Sequence, residues 1–401
     1  MRALRLTGAA LAVAAALLTA CQEELVAPGD CPALCPGDQI LVHDTIIEAV
    51  VLRDSTFVGY TGRGFGSSFL ASDGLPGLPL HRGLVRYFPR PDSVIVADTL
   101  REYAIDSVIL AFRIAARDTS IHNLRALFYR MPAPLAVDTL TDWATVDAAI
   151  LEANLLDSVV VDDTTTSPTI RLGYSGDDLA KVALPAADSG TLALAVLVRG
   201  DAPTGARFVS AGTGGPTFTT FVTADVADTA LQRQSIFRTP TVVTWVQDVP
   251  EVVDPDLLTV GGAPSARSLV RFRLPDLIRD SARITRATLE FTTVGPLIGL
   301  PSDSAFFSAR AVLVDLGAKS PTTSGGADIL LGPGPGGTFA IEATPIALTW
   351  LGPNALPSAV FLQLDLEAAS FLRPVLASTR AGGTPPRVRL TYTLPYRFGG
   401  Q

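Results

Sequence analysis

Imidazole exchanges protons near neutral pH, so His43, His81 and His122 are the side chains best suited to catalysis. They lie far apart, and none stands in an H-E-x-x-H run or a Ser/His/Asp arrangement. No G-x-S-x-G occurs. Paired carboxylates could serve as glycosidase acid and base, but among 39 acidic residues no pair is singled out by its surroundings. The run Gly59-Tyr60-Thr61-Gly62-Arg63-Gly64-Phe65-Gly66 would cradle a phosphate if it opened a helix. Ser67-Ser68-Phe69-Leu70 and more glycine follow, so it reads as an irregular crossing between strands. Asp162-Asp163 carry the oxygens that calcium takes, yet before Thr164-Thr165-Thr166 they read as a solvated loop. Trp143 could stack on a sugar, and on an apolar face it reads as packing. No catalytic or metal-binding residue is assigned, no cofactor is called for (calcium is unsupported), and the chain reads as a non-enzyme.

The cysteines are more informative. Arg2 and Arg5 precede the apolar run Leu6 to Leu17, too short to span a bilayer core of about 30 Å. The run ends in Leu18-Thr19-Ala20-Cys21, which resembles the lipobox of bacterial lipoproteins. The resemblance implies that residues 1–20 are a signal peptide, cut before Cys21, and that Cys21 is lipidated. Acyl chains contribute about 0.8 kcal/mol per buried methylene, so two or three of them hold a protein on a membrane. Gln22 is similar to the residue at this position in lipoproteins sorted to the outer membrane. The expected location is therefore the cell envelope, lipid-anchored at the outer membrane. Residues 21–44 form a tether rich in proline, glycine and acids, without periodicity. Cys31 and Cys35 lie in it, two thiols left over in an oxidising compartment once Cys21 is acylated. A Cys31–Cys35 disulfide would close a small loop worth about 2 kcal/mol. Idle thiols are the alternative. Metal binding lacks partners beyond His43, and redox work prefers C-x-x-C in a βαβ unit.

Behind the tether, the chain reads as strands. In Arg267 to Phe291, Val270, Phe272 and Leu274 alternate with Arg271 and Arg273; Ala287, Leu289 and Phe291 alternate with Arg286, Thr288 and Glu290. Period two means one buried and one wet face. Val270, Phe272, Leu289 and Phe291 should then be buried. Arg271 and Arg273 should be exposed, with Arg271→Ala costing within about 0.5 kcal/mol as a surface change. Pro275-Asp276 and Asp280-Ser281 read as turn residues joining the strands. The pattern occurs twice. Arg82-Gly83-Leu84-Val85-Arg86-Tyr87 matches Arg267-Ser268-Leu269-Val270-Arg271-Phe272, and Ile105-x-x-Val108-x-Leu110-x-Phe112 matches Ile284-x-x-Ala287-x-Leu289-x-Phe291. Helical spacing is expected over Asp142 to Leu156, capped by Thr141, over Asp177 to Leu184, and over Thr344 to Leu351, with Thr344 as cap. Thirty prolines, 34 glycines and 48% apolar residues suit an all-β chain with substantial cores.

The paired strands resemble the signature of DNRLRE-type domains, β-sandwich modules similar to carbohydrate-binding modules of secreted and cell-wall microbial proteins. The resemblance covers most of residues 50 to 395, twice. It implies two tandem jelly-roll-like β-sandwich domains, here 45–225 and 239–398, joined by a linker over 226–238. It also implies a non-catalytic glycan-binding or adhesive surface module with polysaccharide as partner, and it fixes no binding residue. A structural or protein-binding envelope lipoprotein is the rival reading, and a secreted hydrolase with an unrecognised site the next. A net charge of −8 argues against nucleic acid, which needs a basic footprint.

Overall fold

Alternating apolar residues and frequent turn residues make almost every segment a strand. About 51% of the chain is strand and 9% helix, arranged as an all-β sandwich fold. The computed structural model describes residues 41–395, apart from 64–65, 133–137, 139, 183–190, 225–231, 250–252 and 263–264. Cys21, Cys31 and Cys35 lie outside the described residues.

In chain order the strands are β1 (Val42–Glu48), β2 (Ser55–Val58), β3 (Ser68–Asp73), β4 (His81–Tyr87), β5 (Val94–Val96), β6 (Thr99–Arg101), β7 (Tyr103–Arg117) and β8 (Arg125–Arg130). Then follow β9 (Leu155–Val160), β10 (Thr169–Ser175), β11 (Ala193–Arg199), β12 (Thr204–Val209), β13 (Thr217–Ala224), β14 (Gln232–Arg238), β15 (Pro240–Gln247) and β16 (Leu257–Thr259). The last are β17 (Ala266–Arg271), β18 (Arg283–Thr292), β19 (Ala305–Val312), β20 (Thr322–Leu331), β21 (Thr338–Glu342), β22 (Ala359–Leu364), β23 (Val375–Ala377) and β24 (Arg387–Thr393). Among the described residues three short α-helices interrupt them: α1 (Trp143–Ala149), α2 (Asp276–Ser281) and α3 (Thr344–Leu348).

Two groups of antiparallel sheets result. In the first, β14, β13, β7 and β10 lie side by side, as do β15, β4, β11, β8 and β9, with β12 and β3 joining the two rows. In the second, the rows are β1-β24-β18-β21 and β2-β17-β22-β19-β20, with β16-β23 as a separate pair. The two orders match strand for strand. The registers match as well: Leu110 faces Phe218 and Leu172, where Leu289 faces Val388 and Ile341. Phe112 faces Ile170, where Phe291 faces Phe339. The repeat read in the two central strands thus extends to their neighbours.

The expected boundaries do not coincide with the sheets. Residues 232–238, assigned above to a linker, form β14 and pair with β13 along their whole length. β1 and β2, expected to open the first unit, pair instead with β24 and β17 of the second. Alternation announces a strand but not its partner, and unpaired edge groups favour any partner that covers them. Residues 59–63 then carry the chain from β2 toward β3, the irregular crossing expected of the glycine-rich run.

Each group encloses its own apolar cluster. One centres on Phe69, Phe112, Phe128, Phe208 and Trp245, the other on Phe272, Leu289, Phe291, Phe307 and Trp350. Val270, Leu289 and Phe291 are fully buried and Phe272 nearly so, as the pleat requires. The helices depart from expectation. Asp142, not Thr141, caps α1 by accepting from Thr145 N–H, and the chain is extended again by Leu155. The segment expected as a turn after Pro275 is the helix α2. Residues 176–181 form a 3-10 turn, and α3 stops at Leu348.

Candidate functional site

A concavity opens where β17 ends. Arg271 is the last residue of β17; Phe272, Arg273 and Leu274 follow it before α2 supplies Arg279. The β1–β2 turn adds Val50 and Arg53, and the segment from Trp350 to Ser358 closes the far wall. Together they enclose about 550 Å³, within the roughly 300–1,000 Å³ usual for small-ligand clefts. Backbone hydrogen bonds pin the walls. Phe272 N–H donates to Ser358 O at 2.7 Å, Val50 N–H to Arg271 O at 2.8 Å, and Gly352 N–H to Arg279 O at 3.2 Å.

The four guanidiniums differ in their engagement. Arg271 is forked onto Asp315, Nε to Oδ2 at 2.5 Å and Nη2 to Oδ1 at 2.7 Å, and its Nη1 donates to Arg53 O. Its side chain is only 17% exposed, so the solvated position expected from alternation is corrected here: the β19–β20 loop brings Asp315 over it. Hydrogen bonds from Arg271 hold the Asp315 carboxyl below its ordinary value, helped by Gly317 N–H and the Arg53 charge. Arg279 is paired with Asp276 and Asp280. Arg273 is exposed, as expected, and makes no hydrogen bond or ion pair with a described residue. Under the rim lie Phe272 and Trp350, 4% and 1% exposed, with ring centroids 5.8 Å apart. Trp350 lines the cleft, and its indole N–H is buried without an acceptor. A buried donor left unpaired costs roughly 1–3 kcal/mol, and this one lies too deep for a water-sized group to reach it.

A second, smaller depression of about 370 Å³ lies on the wet face of β1-β24-β18, between Asp44, Arg286, Thr288, Glu290, Arg389 and Thr391. Its charges are matched across strands: Arg389 to Asp44 at 3.1 Å, Arg387 to Glu290 at 2.5 Å, and Arg286 to Glu342 at 3.1 Å. Of the wet face anticipated for Arg286, Thr288 and Glu290, Arg286 is exposed, Thr288 is half-buried, and Glu290 is largely covered by its partner Arg387.

The other residues considered from sequence fall elsewhere. His43 stacks on Tyr392, and His122 meets Asp163 at 3.0 Å on the surface. Trp143 is half-buried against the small cluster under α1, with the Arg82 guanidinium 4.0 Å from its ring centre. Asp162 accepts from Thr164, while the carbonyls of Asp162, Asp163 and Thr165 all receive hydrogen bonds from buried Arg117. A guanidinium therefore occupies the carbonyl cluster that a cation would need. Among the described residues no group of three or more His, Cys, Asp or Glu could hold a metal.

One pair was invisible in sequence. Ser72 Oγ lies 2.9 Å from His81 Nδ1. Both residues are nearly inaccessible, and Ser72 Oγ also meets Pro79 O and His81 N–H. The imidazole stands edge-on to Trp245 and Phe371, and burial pulls its pKa to about 4. It is a neutral core histidine, and neither concavity reaches it.

Comparison with known proteins adds little. No family model and no curated protein matches the chain. Among solved structures it is similar to that of the Macrobrachium rosenbergii nodavirus, at 9% identity and a TM-score of 0.17, over 91% of this chain and 92% of that one, a likeness too slight to bear on fold or function. Among the described residues no helix is long and apolar enough to cross a membrane.

Proposed function

We propose that this chain is a non-catalytic lipoprotein of the cell envelope, anchored through Cys21 at the outer membrane. Its two jelly-roll-like units serve as a glycan-binding surface module of the DNRLRE type. The cleft beyond β17 is the binding site, and one observation carries that assignment: an apolar floor under a rim of guanidiniums. Arginine stays protonated at all working pH values and cannot act as a general acid or base. Such a lining suits holding a ligand better than transforming one. The supports for the anchor are the leader and the lipobox-like Leu18-Thr19-Ala20-Cys21.

The Cys21→Ser chain, made in the bacterial envelope, tests both parts. It should leave the membrane fraction and carry no acyl group by mass spectrometry. Released in soluble form, it should then bind a subset of an array of microbial polysaccharides. Retention with lipid attached would reject the anchor, and a blank array would reject the glycan assignment.

A further inference from the structure

Resting on that reading, we propose that the cleft beyond β17 selects an acidic glycan, one whose sugars carry a carboxylate or sulfate. The whole chain has a net charge of −8, yet the lining of this cleft includes four arginines and no carboxylate. Arg271 is not the anchor, because Asp315 already holds its fork; it fixes the Arg53 turn and the β19–β20 loop in position. Arg279 is likewise held by Asp276 and Asp280. The charge on offer is that of Arg273, exposed and unpaired among the described residues, and of Arg53 across the opening. A guanidinium meets a carboxylate or sulfate through two parallel N–H bonds, roughly twice as strong as neutral ones.

The remaining chemistry separates a sugar from an acidic peptide. Arginine and tryptophan side chains donate hydrogen bonds and accept none. The one hydroxyl in the lining, Ser358 Oγ, gives its proton to Phe272 O at 2.9 Å, so it is the single side-chain acceptor there. A peptide brings N–H groups that need more side-chain acceptors than this one. An acidic glycan brings carboxylate or sulfate and ring oxygens that only accept, and hydroxyls that accept while turning their O–H to solvent. Its C–H faces would lie against Leu356 and Pro357.

The test is calorimetric titration of the soluble Cys21→Ser chain with four probes: uronate oligosaccharides, sulfated oligosaccharides, neutral hexose oligosaccharides of equal length, and an Asp/Glu peptide. One or both charged sugars should bind, more weakly as salt rises; which of them does identifies the acidic group. Arg273→Ala should weaken that binding at least tenfold, and Trp350→Phe, at a ring nitrogen the ligand does not reach, should leave it nearly unchanged. Both variants should show the parent's circular dichroism, and Arg53→Ala, at a second exposed site, repeats the charge test. Equal affinity for the neutral sugar, or no loss in Arg273→Ala and Arg53→Ala, would overturn the charge selection and leave glycan binding standing. Binding of the peptide alone would overturn both.

Discussion

The two groups of sheets share strand order and register, but they end differently. At the register position facing Val388, the second has Ile47; facing Phe218, the first has Arg238. Arg238 points inward, 6% exposed, its guanidinium 3.8 Å from the Phe218 ring centre and hydrogen-bonded to Phe88 O at 3.0 Å. Burial lowers its pKa to about 10. Two residues beyond Arg86 stands Phe88, 52% exposed, where the second group has Arg273 two residues beyond Arg271. In the first group the Arg238 guanidinium is inside and the Phe88 ring outside; in the second Ile47 takes the inner place and the Arg273 guanidinium faces solvent. A shared frame thus leaves one end with cations available to a ligand and the other with a cation spent on its own core.

The sharpest way to break this comparison is to remove the strands that cross between the groups. A chain starting at residue 61 lacks β1 and β2 and exposes the edges of β24 and β17. Hydrogen exchange should then show lost protection across β17, β18 and β24 while β7 and β13 stay protected. Equal protection in both groups would mean that the N-terminal strands are dispensable. Within the second group, Phe272→Ala should cost about 3–5 kcal/mol, the range for a lost core Phe. Arg271→Ala should cost about 1–2 kcal/mol, because it removes charge-assisted hydrogen bonds from a half-buried pair. Urea denaturation separates these values, and an Arg271→Ala cost below about 0.5 kcal/mol, the usual surface value, would return Arg271 to a solvated face.

How much of this was legible depended on the range of the interaction. Alternation in Val270 to Leu274 and Ala287 to Phe291 gave strands, faces and the repeat, since burial acts at period two. Pairing partners were not legible. β1 and β24 are separated by almost the whole chain, and nothing in Ile46-Ile47 points to Arg387-Val388-Arg389. The cleft was half visible: Arg271 and Arg273 stood out as a charged row, read as solvated. Arg53, Asp315 and Trp350 join them only through folding, and no local pattern marks them. The Ser72–His81 contact was hidden for a related reason, a hairpin register that sequence does not set.

His81 gives the last contrast. Its counterpart in the repeat, 185 residues on, is Ala266, which cannot titrate. His81 is 2% exposed, its Nε2 has no partner, and burial lowers its pKa from 6.5 to about 4. Desolvation outweighs the Pro79 carbonyl and the Asp248 charge, both of which favour the imidazolium. The folded-state value lies below the unfolded one, so below pH 6.5 the unfolded chain binds a proton that the folded chain refuses. Stability is therefore complete above pH 6.5 and lost progressively down to about pH 4. At about 1.4 kcal/mol per unit, the loss amounts to about 3 kcal/mol. It should appear in the first group of sheets, read by Trp245, which His81 touches edge-on. Urea midpoints between pH 7.5 and 4 should fall more steeply for the parent chain than for His81→Gln, with carboxylate titration common to both. Parallel pH profiles would show that the buried imidazole is not what makes the first group the more acid-sensitive.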